Sequence, residues 1–251
     1  MKDVLIVGYG VVGHNLYKDL IKLKPDIYDK FKTEHNTKRD IVYDFAFICV
    51  DTPYNEVGDC DITEVVNAIN ENEAKIYIIK STILPKTTLS LIEKTGKIVV
   101  FSPEYYGGTQ HCNNFDFAFT ILGGDRNACK QVVQLLQNIY DARHKFVITD
   151  STTAELTKYM ENSWLATKVS FCVQFYEIAK SLGVDYEELR ELFVLDERVN
   201  KSHTFVYDEH PYWDSHCLNK DVPAIANYSN AEFLQSVIIF NQKQKQKYKK
   251  D

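Results

Sequence analysis

The sequence predicts an α/β fold: a doubly wound, mostly parallel sheet followed by an all-helical domain. Three observations predict it. Short apolar runs recur through the first 150 residues, with helix-periodic stretches between them. A glycine-rich turn closes the first of those runs. From about residue 150 the strand signals stop, and a stretch without proline or glycine runs with helical periodicity to Gly183. The expected domains are therefore residues 1–150 and 151–251.

Val4-Leu5-Ile6-Val7 is a short apolar run ending in glycine, as expected of a buried parallel strand. Residues 11–23 carry helical spacing, which Pro25 ends, and Ile27-Tyr28 resumes an extended path. Phe45 to Val50, Ile76 to Ile79 and Ile98 to Phe101 are further buried strands. Phe117 to Leu122 and Phe146 to Ile148 complete the set. Helices are expected near 61–71, 86–95 and 125–140. Only fourteen residues separate Asp29 from Asp44, so any helix there must be short or absent. Thr152-x-x-Glu155 has the form of a capping box opening the long helix. A shorter helix is expected near 185–195, a polar and aromatic loop over 200–220, and a last helix from about 221 or 230 into Gln242. The lysine-rich segment Lys243 to Asp251 is expected to be a frayed, solvated end.

The bulk properties exclude several classes. With 251 residues the chain can bury a core unaided. A net charge of −6 argues against a general nucleic-acid binder. No run of eighteen apolar residues exists, so no membrane span is expected. The chain enters a strand at once, without a secretory leader, which implies a cytoplasmic protein. Six scattered cysteines without a C-x-x-C pair suit reduced thiols rather than a disulfide framework. His203, His210, His216 and Cys217 match no zinc spacing, so no metal is expected.

Gly8-Tyr9-Gly10-Val11-Val12-Gly13 is G-x-G-x-x-G, placed between a strand and a helix, the context that gives it meaning. Gly8 permits the tight turn, Gly10 lets the backbone approach a pyrophosphate, and Gly13 allows close helix–sheet packing. The helix N-terminus then faces the phosphates. This is the dinucleotide-binding unit of a Rossmann-type sheet. Asp29, sixteen residues past Gly13, would accept hydrogen bonds from ribose hydroxyls and repel a 2′-phosphate, favouring NAD. Asp26 competes for that role, and Lys30 and Lys32 soften the preference. Thr82 and Glu104 follow strands at their C-terminal ends, where open α/β sheets bind ligands. Lys158 and Asn162 are i and i+4 on the long helix, so they share a face and could stabilise an oxyanion. Cys217 precedes Lys220 and Asp221 closely. A simple alcohol oxidation needs no thiol; covalent capture of an aldehyde for a second oxidation does.

These segments together resemble the UDP-glucose/GDP-mannose dehydrogenase family. The matching stretches are GYGVVG at 8–13, VDTP at 50–53, KSTILP at 80–85 and SPEY at 102–105. AELTKYMENSWLATKVSF at 154–171, IAKSLGVDYEELRELFVLDERV at 178–199 and CLNKD at 217–221 continue the match in order. The resemblance implies oxidation of a nucleotide sugar, UDP-glucose to UDP-glucuronate first among them, by two successive hydride transfers to NAD. It implies that Cys217 forms a thiohemiacetal and then a thioester. Lys158 and Asn162 would stabilise oxyanions, Asp221 and Thr82 would hold water, and Glu104 would serve as base. Gly8, Gly10, Val11, Val12, Gly13, Asp29, Thr52, Pro53, Thr82 and Lys220 would contact NAD. Glu104, Lys158, Asn162, Arg198 and Lys220 would contact substrate, Arg198 across a homodimer built on the 152–182 helix. Polysaccharide biosynthesis is the implied setting.

The departures are specific. Family members carry a third, nucleotide-gripping domain that this sequence lacks, so a separate chain supplying it is one expectation. The family's glycine-rich loop before the cysteine is here Tyr212 to His216, and Asn219 replaces a proline. The loop after Glu104 reads Tyr105-Tyr106-Gly107-Gly108. Tyr105, Tyr106, Tyr212 and Trp213 are candidates to stack on a base or sugar. Alternative readings are a catalytically impaired NAD-binding interaction module, half of a split dehydrogenase, and a β-hydroxyacid dehydrogenase, which needs no cysteine.

Overall fold

Burial decides which apolar runs become central strands. The computed structural model describes residues 2–54, 60–106 and 117–249. They form two compact units: one of residues up to Pro53 and from Cys60 to Lys158, the other of Tyr54 and the residues from Tyr159 onward.

The first unit is a seven-stranded sheet of order β2-β1-β3-β4-β5-β6-β7. Its strands are β1 (Val4–Val7), β2 (Asp26–Tyr28), β3 (Tyr43–Ile48), β4 (Ala74–Ile79), β5 (Val99–Phe101), β6 (Phe119–Gly124) and β7 (Lys145–Thr149). All neighbours are parallel except β5 and β6. The helices between them are α1 (Val11–Asp19), α2 (Thr63–Glu71), α3 (Thr87–Thr95) and α4 (Arg126–Leu136). The central strands are apolar on both faces because both are covered. Ile6, Phe45, Phe47, Ile78 and Val100 pack with Leu16 and Leu20 of α1 and Val132 and Leu135 of α4. Their sequence neighbours Leu5, Ala46, Ile48, Tyr77, Ile79 and Phe101 pack with Val65 and Ile69 of α2 and Leu91 of α3. Between β2 and β3 only a 3-10 turn at Thr33–His35 remains.

The long helix α5 (Ser151–Leu182) begins in the first unit and continues in the second. Its start is not the expected capping box. Asp150 accepts from the Thr153 N–H at 2.8 Å and from its hydroxyl at 2.6 Å. Glu155, fully buried, instead accepts from the backbone N–H groups of Lys86 (2.6 Å) and Thr88 (2.8 Å) and from the Thr88 hydroxyl (2.6 Å). It caps α3, whose own cap position, Lys86, offers no side-chain acceptor.

The second unit adds α6 (Tyr186–Phe193), α7 (His216–Ser229) and α8 (Glu232–Tyr248). Several expectations fail here. The loop expected to 220 ends at Ser215, whose hydroxyl caps α7 by accepting from the Leu218 N–H, so Cys217 to Asp221 are helical. Helix forms because Leu218 and Val222, four residues apart, bury against Ala166 and Val237. The last helix starts near the later of the two expected positions, at Glu232, and the earlier one falls inside α7, which ends before Asn230, a residue in a left-handed conformation. Nor is the basic end frayed as far as Tyr248: Lys247 and Tyr248 both bond Glu177, and Lys245 bonds Asp214. Trp213 is also no exposed stacking platform. It is 6% exposed, donates its indole N–H to Ser170 Oγ at 3.0 Å, and its backbone is held by Asn241.

Candidate active site

In the first unit the candidate residues collect at the C-terminal ends of the parallel strands. Sheet order reverses between β1 and β3, the switch point at which such sheets bind ligands. Gly8, Gly10 and Gly13 lie between β1 and the first turn of α1. A Cβ on Gly13 would sit 1.9 Å from the Gly8 carbonyl oxygen, so only glycine allows this turn. Gly8 itself has φ of +90°. A Cβ on Gly10 would meet nothing within 4 Å, the open approach that a pyrophosphate needs. Gly10 caps α1 without a side chain, and the first turn carries no acid. Val11 is exposed and Val12 half-buried beside this turn. The N–H end of the helix thus keeps its partial positive charge for an anion.

Asp29 is buried just beyond β2. Its carboxylate accepts from the N–H groups of Tyr9 (2.6 Å), Phe31 (2.8 Å) and Lys32 (2.8 Å). Burial alone would push its pKa up, but these bonds and the Lys32 charge hold it below the ordinary value. The competing Asp26 is engaged elsewhere, by Arg39 at 2.7 Å and Tyr43 at 2.8 Å. Lys30 pairs with Glu64 at 3.4 Å, and Lys32 donates to the Tyr9 carbonyl at 3.0 Å. Thr52, followed by Pro53, donates its hydroxyl to the Thr82 carbonyl at 2.8 Å, joining the segments after β3 and β4. Thr82 and Glu104 are both buried, and Glu104 Oε2 accepts from the Tyr106 N–H at 2.7 Å. Lys158, 6% exposed, places Nζ 5.0 Å from the centre of the Tyr105 ring. Tyr105 in turn stacks on Phe117. Tyr106 is tied through its hydroxyl to Asp19. Gly107 and Gly108 lie outside the described residues.

In the second unit α5 and α7 bring a second group together. Asn162, 5% exposed, donates Nδ2–H to Asp221 Oδ2 at 2.6 Å. Lys220 donates to Asp221 Oδ1 at 2.7 Å. Cys217 is half-buried in the first turn of α7, one turn before Asp221 on the same helix face. It is in no disulfide, and a helix N-terminus favours a thiolate. Tyr212 is half-buried, with its hydroxyl 3.2 Å from His210 Nδ1. Arg198 is not gathered with the others: it is exposed and bonded to Asp196 at 2.6 Å. Among the described residues no cluster of histidine, cysteine and acidic side chains could hold a metal.

Two features escaped the sequence. Lys80, buried beside Thr82, is one, and the Tyr105 ring under Lys158 is the other. Lys80 stands inside KSTILP at a strand's end, which was the available signal.

Comparison with known proteins agrees with this geometry. Residues 22–144 match the NAD-binding domain of the UDP-glucose/GDP-mannose dehydrogenase family, and residues 152–243 match its central domain. The chain is 31% identical over 215 residues to a UDP-glucose 6-dehydrogenase of Rickettsia bellii, covering 78% of this chain and 48% of that one. It is 32% identical over 203 residues to a GDP-mannose 6-dehydrogenase of Pseudomonas aeruginosa, covering 72% and 46%. It spans about half the length of these curated relatives. The structure of a UDP-D-ManNAc dehydrogenase from Pyrococcus horikoshii superimposes with a TM-score of 0.81 at 21% identity, over 96% of this chain and 68% of that one. No helix among the described residues is long and apolar enough to cross a membrane. The glycine turn and Asp29 fit a dinucleotide, and the cofactor is NAD. With an NAD-binding domain and a central domain matched in order over most of its length, the chain belongs to the UDP-glucose/GDP-mannose dehydrogenase family.

Proposed function

We propose that this protein oxidises the primary alcohol of a nucleotide sugar to the acid, with UDP-glucose the first substrate to test. The observation that carries the proposal is the Cys217, Lys220, Asp221 and Asn162 group on α7 and α5. A dehydrogenase that stops at one oxidation has no use for the thiol, which disfavours the β-hydroxyacid reading. The assigned domains are an NAD-binding domain, 1–150, and a helical dimerisation and catalytic domain, 151–251.

Gly8, Gly10, Val11, Val12, Gly13, Asp29, Thr52, Pro53, Thr82 and Lys220 are assigned to NAD. When bound, NAD supplies the two-electron acceptor for each oxidation of the substrate carbon. The rest falls to this chain's side chains. Cys217 Sγ adds to the aldehyde carbon, forming a C–S bond, while the carbonyl oxygen gains charge that Lys158 and Asn162 stabilise. After the second oxidation the adduct is a thioester. Asp221 and Thr82 hold a water, and Glu104 takes its proton as it adds. The C–S bond then breaks, returning the thiolate and releasing the acid. Overall, alcohol, water and two NAD give the carboxylate, two NADH and three protons. Lys220 and Glu104 also contact substrate.

Arg198 is assigned to the neighbouring subunit's substrate in a homodimer. Support comes from a row of exposed apolar residues along α5: Met160 at 75%, Trp164 at 60%, Phe171 at 50% and Leu182 at 71%.

The test incubates the full chain with NAD and, separately, UDP-glucose, GDP-mannose and UDP-N-acetylmannosamine, following NADH absorbance. One sugar nucleotide should give NADH and a matching acid. NAD binding without NADH from any of them would favour the interaction-module or split-enzyme reading.

A further inference from the structure

Lys80 is a buried cation that the proposed chemistry does not use. It follows β4, is 9% exposed, and donates to Ser102 Oγ and to the Pro103 carbonyl, each at 3.2 Å. Both partners are neutral. Burying an ammonium on neutral oxygens is costly, and a methionine would fill the volume without that cost. The two oxygens belong to the residues immediately before Glu104, itself 7% exposed.

The charged surroundings come from four other segments. Glu104 after β5 and Asp19 at the end of α1 face Lys80 with opposite charge. Lys158 on α5 faces it with like charge. Cys49 after β3 contributes no charge near neutrality, since burial pushes its thiol up to about 12. Burial, first of all, lowers the Lys80 pKa, while the charges of Glu104 and Asp19 oppose that fall.

We propose that Lys80 is a positioning residue for Glu104: it fixes the Ser102–Pro103 segment that delivers the carboxylate, and its charge keeps that carboxylate ionised. The kinetic consequence rests on the dehydrogenase reading, but the electrostatic one does not. A base must be ionised to take a proton from water, so loss of the Lys80 charge moves Glu104 function to higher pH.

The experiment compares the full chain with Lys80→Met and Lys80→Arg. Carboxyl-carbon NMR follows Glu104 across pH, its signal identified by its loss in Glu104→Gln. Lys80→Met should raise the Glu104 midpoint by about one unit or more, as expected when a nearby opposite charge is removed. Lys80→Arg should stay close to the unmodified protein. If the chain oxidises a nucleotide sugar, the acidic limb of its pH–rate profile should move by the same amount, with KM for NAD unchanged. Failure to oxidise any sugar sinks the dehydrogenase reading and leaves the NMR comparison intact. An unmoved Glu104 midpoint in a folded Lys80→Met, or equal shifts in the Met and Arg variants, overturns the proposal. Should Lys80→Met fail to fold, Lys80→Gln, which keeps hydrogen-bond donors without charge, takes its place with the same expected shift.

Discussion

Asp29 holds the fold together at the proposed cofactor site. Its three backbone hydrogen bonds tie the glycine turn to the segment after β2. Oδ2 accepts only the Tyr9 N–H among these bonds, which leaves it capacity toward a ribose hydroxyl. The folded-state pKa is depressed, so the carboxylate contributes stability that is full above its unfolded value. That contribution disappears as pH falls through the folded value. Asp29→Asn should therefore lower the melting temperature most near neutrality, with the gap closing only as pH falls below the ordinary carboxylate range. A gap independent of pH would contradict this account. The same charge opposes a 2′-phosphate, so Asp29→Ser should narrow the preference for NAD over NADP in calorimetric titrations. Equal affinities in the unmodified protein would remove that role.

At the scale of elements, Glu155 joins α5 to α3 across 67 positions of sequence. It lies one turn before Lys158, and the helix it caps follows the Thr82 segment. Glu155→Ala would strand two backbone N–H groups and the fully buried Thr88 hydroxyl, costing roughly 2–4 kcal/mol. Urea denaturation measures it; a loss below about 0.5 kcal/mol, the range of an inert surface change, would show the cap to be dispensable. The central strands were legible in the sequence because they are buried on both faces, so Val4–Val7 and Ile76–Ile79 read as unbroken apolar runs. Glu155 misled because a capping box is a local pattern, and its true partners come from a distant segment. Cys217 was read as part of a loop, and it lies in the first turn of α7. Its helix depends on Leu218 and Val222 meeting Ala166 and Val237, contacts no window of residues 200–220 contains. Trp213 and Lys245 were misjudged for the same reason: polarity of the flanking sequence hid their tertiary partners, Ser170 and Asp214.

For the molecule as a whole, the exposed row on α5 is the feature that calls for a partner. Residues 160, 164, 171, 175 and 182 recur at helical spacing, and all five side chains are exposed and apolar. A two-fold pairing of identical helices would cover them, giving a dimer of about 58 kDa, twice the 29.1 kDa chain. Light scattering should show that mass, and Met160→Asp with Trp164→Asp should halve it. A monomer at micromolar concentration in the unmodified protein would remove both the dimer and the role of Arg198 across it.

The central claim is that Cys217 carries an aldehyde to the acid within one protein. Its most direct measurement is the ratio of NADH formed to nucleotide sugar consumed, read in the unmodified chain and in Cys217→Ser. The account predicts two NADH per sugar and an acid product in the first. In the second, acid formation should cease and intact mass spectrometry should show sugar-nucleotide mass held on the protein, because the serine ester hydrolyses less readily. One NADH per sugar with an aldehyde product, or undiminished acid from Cys217→Ser, would contradict it.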